Sequence, residues 1–89
     1  MRIRDRIRDN LMTALEPVAL EIIDDSARHA GHAGASLEGE THFFVRIVSA
    51  KFLGLKRPAR HRLVYDALKR EFADGMHALN IQALAPDEA

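Results

Sequence analysis

Cysteine is absent from this 89-residue chain, and so is tryptophan. Without a thiol the fold cannot rest on disulfides, and no thiolate is available as nucleophile or metal ligand. Thirteen basic residues cancel thirteen acidic ones, so no global field draws in nucleic acid or a membrane surface. No apolar run approaches the roughly 18 residues of a membrane span. The opening residues 1–8 are charged rather than apolar, unlike a signal peptide. These absences lead to the expectation of a cytoplasmic protein. At 47% hydrophobic and 29% charged, the composition is that of an ordinary folded domain, and the length suits one domain over residues 1–89 with a single core.

What the chain does have is a concentration of histidine and glycine between two apolar segments. The stretch from Asp25 to Phe43 holds His29, His32 and His42 of the five histidines, and Gly31, Gly34 and Gly39 of the five glycines. Such a span builds little core and reads as a loop on a rigid frame, where binding groups tend to sit.

The frame can be read on either side of it. Ile3, Ile7, Leu11 and Leu15 make an i, i+4 stripe, which predicts an amphipathic helix over Arg2 to Leu15. Pro17 disfavours helical geometry at Glu16 and ends it. Val18 to Asp24 is short and rich in branched residues, and reads as a strand with Val18, Leu20 and Ile22 on one face. Thr41 to Ser49 alternates, placing Phe43, Val45 and Ile47 on one face and His42, Phe44, Arg46 and Val48 on the other. These two strands are expected to pair antiparallel. Phe52 to Arg57 reads as a turn or short helical piece. Pro58 suits the first turn of a helix from Ala59 to Ala73, with His61, Val64, Tyr65, Leu68 and Phe72 at helical spacing. Gly75 suits its stop. His77 to Leu84 alternates again, with Leu79, Ile81 and Ala83 on one face, and Ala85 to Ala89 is left as a polar tail.

The resulting order is α-β-β-α-β. Joined through a helix, the second and third strands should run parallel with a right-handed crossover. The expectation is a small α/β fold: a three-stranded mixed sheet with both helices on one face.

Taken by themselves, His29 and His32 form only an H-x-x-H spacing, which a solvated loop with two incidental histidines would also show. A zinc site would need further ligands; His77 could be one, and no fourth is apparent. His42 alternates with Phe43 and reads as structural or surface, and His61, between two arginines, as solvated or partner-facing. No nucleophile constellation, phosphate-binding glycine loop or paired-carboxylate motif accompanies the histidines, so the chain is not expected to be an enzyme.

In combination these residues resemble a known family. Asp25-Ser26-Ala27-Arg28-His29-Ala30-Gly31-His32 is followed by Gly39-Glu40-Thr41-His42-Phe43, then by Val48-Ser49 with Phe52 and Gly54. Arg60-His61-Arg62-Leu63-Val64-Tyr65, Leu68 and His77-Ala78-Leu79 follow in order. Together they look like the BolA family over nearly the whole chain. The resemblance implies a fold similar to class II KH domains, and a partnership with monothiol glutaredoxins around a bridging 2Fe–2S cluster. In such heterodimers the glutaredoxin cysteine and a glutathione thiolate supply sulfur. The BolA-like protein supplies the histidine that opens the last strand, here His77, and a histidine or cysteine from the loop between the first two strands. With no cysteine, this chain resembles the histidine-bearing branch, with His29 matching best and His32 next. Two histidines cannot hold a cluster alone, so none is expected on the isolated chain.

The segment from Lys51 to Arg70 carries seven basic residues against the single acid Asp66. Within it Arg60, His61, Arg62 and Tyr65 are expected to shape a contact surface, for the glutaredoxin or, as the alternative, for DNA. A Gly-x-x-Gly loop between two helices, which KH-type RNA binding needs, is missing: Gly31 to Gly34 falls between strands. An uncovered sheet edge leaves homodimerisation of the free protein open.

Overall fold

The computed structural model describes residues 2–24 and 42–89. Helix α1 spans Ile3–Leu15 and buries Ile7, Leu11 and Leu15, three members of the predicted stripe. Glu16 leaves the helix in the left-handed conformation (φ 45°) immediately before Pro17. Pro17 excludes a further helical residue at Glu16, which accounts for the stop.

Strand β1 covers Ala19–Asp24 and β2 covers His42–Val48. They pair antiparallel, with Leu20 opposite Ile47 and Ile22 opposite Val45. Strand β3, Ala78–Leu84, pairs parallel to β2, so that β2 is central in the order β1-β2-β3. This is the expected mixed sheet. Val18, expected on the inner face of β1, instead precedes the strand and is 72% exposed. The backbone there is still leaving the Glu16–Pro17 turn, and alternation begins only at Ala19.

The segment expected as one helix is two. Helix α2 runs Arg57–Ala67 with Pro58 in its first turn, and α3 runs Lys69–Ala73. The break falls at Leu68 (φ −113°, ψ 17°), whose N–H bonds the Tyr65 carbonyl rather than continuing the α pattern. Leu68 itself is fully buried. The change of direction turns α3 towards α1, where Glu71 meets Asn10 at 2.8 Å and Arg6 at 3.0 Å. Gly75 ends α3 with φ 125°, a conformation that disfavours a Cβ, in keeping with the predicted stop.

Both helical segments lie over one face of the sheet. Phe43, Val45 and Ile47 of β2 pack there with Ile7, Leu11, Phe52, Val64 and Leu68. Burying each such side chain contributes about 1.5–3 kcal/mol. Ser49, also fully buried, fastens the layers together. Its hydroxyl donates to the Leu15 carbonyl at 2.6 Å and accepts the Lys51 N–H at 3.1 Å, which starts the 3₁₀ turn Ala50–Phe52.

The C-terminal residues are not a loose polar tail. Pro86–Glu88 forms a 3₁₀ turn, Ala85 is buried, and the Glu88 carboxylate accepts the Ala85 N–H at 2.7 Å.

Candidate functional site

The parallel register sets His42, the first residue of β2, opposite Ala78 of β3. His77 immediately precedes Ala78, so the two imidazoles meet at one end of the sheet. Their rings stack with centroids 6.1 Å apart and planes 24° apart. His77 is exposed and His42 half-buried. The alternation that buries Phe43 sends His42 to the opposite, helix-free face. Near-parallel rings at this separation leave the His77 nitrogens, the donor atoms of imidazole, in an exposed residue.

His29 and His32, expected as loop ligands, lie outside the described residues. Among the described residues no group of three or more His, Asp or Glu side chains is placed to hold a metal ion. The alternation of its strand marks His42 as structural or surface. The structure brings it against His77, a neighbourhood that only the parallel pairing of β2 with β3 could have revealed.

The residues expected at a contact surface separate into two kinds. Arg62 and Tyr65 are exposed on α2, and Tyr65 leans on Phe72 with ring centroids 5.4 Å apart. His61 is half-buried and lines a cleft of about 570 Å³ between α2 and β3, together with Lys56, Arg57 and Gln82. Arg60 is committed to the fold. Its Nε donates to the Leu55 carbonyl at 2.8 Å, and one terminal nitrogen donates to the Ala83 carbonyl at 3.1 Å. Both terminal nitrogens reach the Glu88 carboxylate, at 2.5 and 3.1 Å.

That bidentate bond to an opposite charge raises the Arg60 guanidinium above its ordinary pKa. It also holds the Glu88 carboxyl below the usual carboxylate range, with the Ala85 N–H helping. Two further cations of the basic segment are engaged on the surface: Lys51 pairs with Glu16 at 3.8 Å, and Lys69 with Asp66 at 3.9 Å. The exposed positive charge is therefore concentrated at Lys56, Arg57, Arg62 and Arg70. No helix among the described residues is long and apolar enough to cross a membrane.

Comparison with known proteins bears on the fold and the family. Residues 11–88 match the family model described as BolA-like protein. The chain is 51% identical over 87 residues to SufE-like protein 1, chloroplastic/mitochondrial, of Arabidopsis thaliana, a match covering 93% of this chain and 24% of that protein. It thus spans about a quarter of that relative's length. It is 43% identical over 79 residues to the DNA-binding transcriptional regulator BolA of Escherichia coli, covering 89% of this chain and 71% of the relative. Among solved structures, BolA1 from Arabidopsis thaliana superposes with a TM-score of 0.87 at 43% identity, over 100% of this chain and 98% of that one. With a family-model match over most of its residues and this degree of sequence and structural similarity, the chain belongs to the BolA family.

Proposed function

We propose that this chain is an adaptor that pairs with a monothiol glutaredoxin and shares a 2Fe–2S cluster with it, serving iron–sulfur cluster handling or iron and redox regulation in the cytoplasm. The observation that carries the reading is the exposed His77 at the head of β3, its ring stacked on His42. The donor set fits a half-site. Imidazole nitrogens can replace thiolates on one iron of such a cluster, which raises its reduction potential. A chain with no cysteine cannot supply the sulfur ligands, so these fall to the glutaredoxin cysteine and glutathione. His77 is the first ligand in this reading, and His29 or His32 is the second. His42 acts as a positioning residue that fixes the His77 ring. Arg62 and Tyr65, exposed on α2, together with His61, offer the contact surface; Arg60 supports it from beneath through its carbonyl bonds.

Anaerobic reconstitution tests the pairing. Mixed with a monothiol glutaredoxin and glutathione, the chain should give a one-to-one heterodimer with visible cluster absorbance. Glutaredoxin that migrates unchanged beside a colourless chain would refute the proposal.

A second reading is favoured by one relative's name, DNA-binding transcriptional regulator, together with the exposed cations Lys56, Arg57, Arg62 and Arg70. It predicts a duplex affinity that falls with salt and weakens in the Arg57→Ala, Arg62→Ala double variant, with the log–log salt slope reduced by about two.

A further inference from the structure

Strand β1 is an edge strand: β2 pairs with it on one side, and among the described residues no strand pairs on the other. Helix α1 does not close over it. Leu20 and Ile22 point to the helix-covered face of the sheet yet are only half-buried, and Met12 and Val18 beside them are 48% and 72% exposed. A groove of about 380 Å³ follows this seam between α1 and β1. Apolar surface of this kind alongside open backbone N–H and C=O groups is a template for an added strand.

The charges along the seam specify what the strand carries. Arg4 and Arg8 line the groove in one row with Met12. No hydrogen bond or ion pair of the Arg4 side chain is present among the described residues. Among the described residues Arg8 has only its own helix's Asp5 at 3.6 Å and Asp9 at 3.4 Å, exposed contacts that an incoming carboxylate can replace at little cost. The row steps by four helical residues, about 6 Å along the axis. Alternate side chains of an extended strand step by about 6.6 Å. The two steps are close in length, so three alternate residues of a strand laid on β1 have the spacing to address Arg4, Arg8 and Met12.

The structure assigns to this seam a docking groove for an extended segment of a partner protein with acidic residues at alternate positions followed by an apolar one, in the pattern acidic-x-acidic-x-apolar. The two acids meet Arg4 and Arg8, and the apolar side chain enters beside Met12 and Val18. The groove lies along the edge formed by β1, while the histidine pair sits where β2 and β3 begin. A partner in the groove leaves β3, on the far side of β2, uncovered.

The test uses the full chain and a fluorescein-labelled nine-residue peptide carrying Asp-Val-Glu-Val-Leu at its centre. Saturable binding is expected, weakened roughly tenfold or more by R4E/R8E. A peptide with both acids changed to lysine should bind that double variant and not the parent, which also establishes that the variant is folded. Amide exchange of residues 19–24 should slow on binding. Unchanged affinity in R4E/R8E, or protection mapping to α2 instead, would overturn the proposal. So would a free chain that sediments as a dimer and turns monomeric on Val18→Lys, since a second copy would then be the occupant.

Discussion

The His77 and His42 rings stack near-parallel, 6.1 Å between centroids, at the end of the sheet where β2 and β3 begin side by side. Neither residue is near the other in sequence. The stack exists because parallel pairing sets His42 beside Ala78 and because the alternation of β2 must send Phe43 inward. The core residue thus determines where its neighbour's imidazole goes, and that imidazole in turn supports the one proposed as a ligand.

A positioning role for His42 has a distinct signature. Replacing it by Ala should weaken cluster sharing roughly tenfold, as loss of a supporting partner does, without abolishing it. His42→Phe, which keeps a ring face but offers no nitrogen, should restore most of the loss. Cluster transfer and visible circular dichroism read both. If His42→Phe behaves like loss of a ligand, His42 donates a nitrogen itself.

Ser49 gives a prediction about the frame rather than the site. Ser49→Ala leaves the Leu15 carbonyl and the Lys51 N–H without their buried partner. The expected loss is about 1–3 kcal/mol of unfolding free energy, read as a shift of the urea midpoint at unchanged slope. Unchanged stability would mean that the hydroxyl is not what joins the end of α1 to the end of β2.

The Arg60–Glu88 contact makes stability depend on pH in a definite direction. The Glu88 carboxyl is depressed in the folded chain, first by the Arg60 hydrogen bonds and then by the Ala85 N–H. A depressed acid stabilises the fold above its unfolded pKa, and that contribution is lost as pH falls through the folded value. Glu88→Gln should therefore melt below the parent at about pH 7, and the gap should close as pH falls below the ordinary carboxylate range and through the depressed folded value. A gap that persists at the acidic end would show that the contact works by packing rather than charge.

Much of this molecule was legible in its sequence where the pattern was local. The Ile7, Leu11, Leu15 stripe and the Phe43, Val45, Ile47 alternation fix their elements because each reflects one buried face. The break at Leu68 was not legible: Val64, Leu68 and Phe72 keep helical spacing across it, and only the meeting of Glu71 with Asn10 and Arg6, more than 60 residues away in sequence, gives α3 its own direction. Glu88 looked like tail for the same reason, since its partner Arg60 is 28 residues upstream. Of the proposed site, His77 was legible through the resemblance. Its neighbour His42 was not, because spacing along one strand carries no information about the register with another. The expected ligands His29 and His32 fall outside the described residues.

Ligation of a shared cluster by His77 is read most directly by visible circular dichroism of the reconstituted heterodimer, prepared anaerobically with a monothiol glutaredoxin and glutathione. It compares the parent chain with His77→Ala, His29→Ala and His32→Ala. The parent complex should give a spectrum distinct from that of glutaredoxin alone, lost in His77→Ala and in whichever loop variant removes the second nitrogen. Four indistinguishable spectra would contradict it and would leave the exposed cations of α2 as the functional surface.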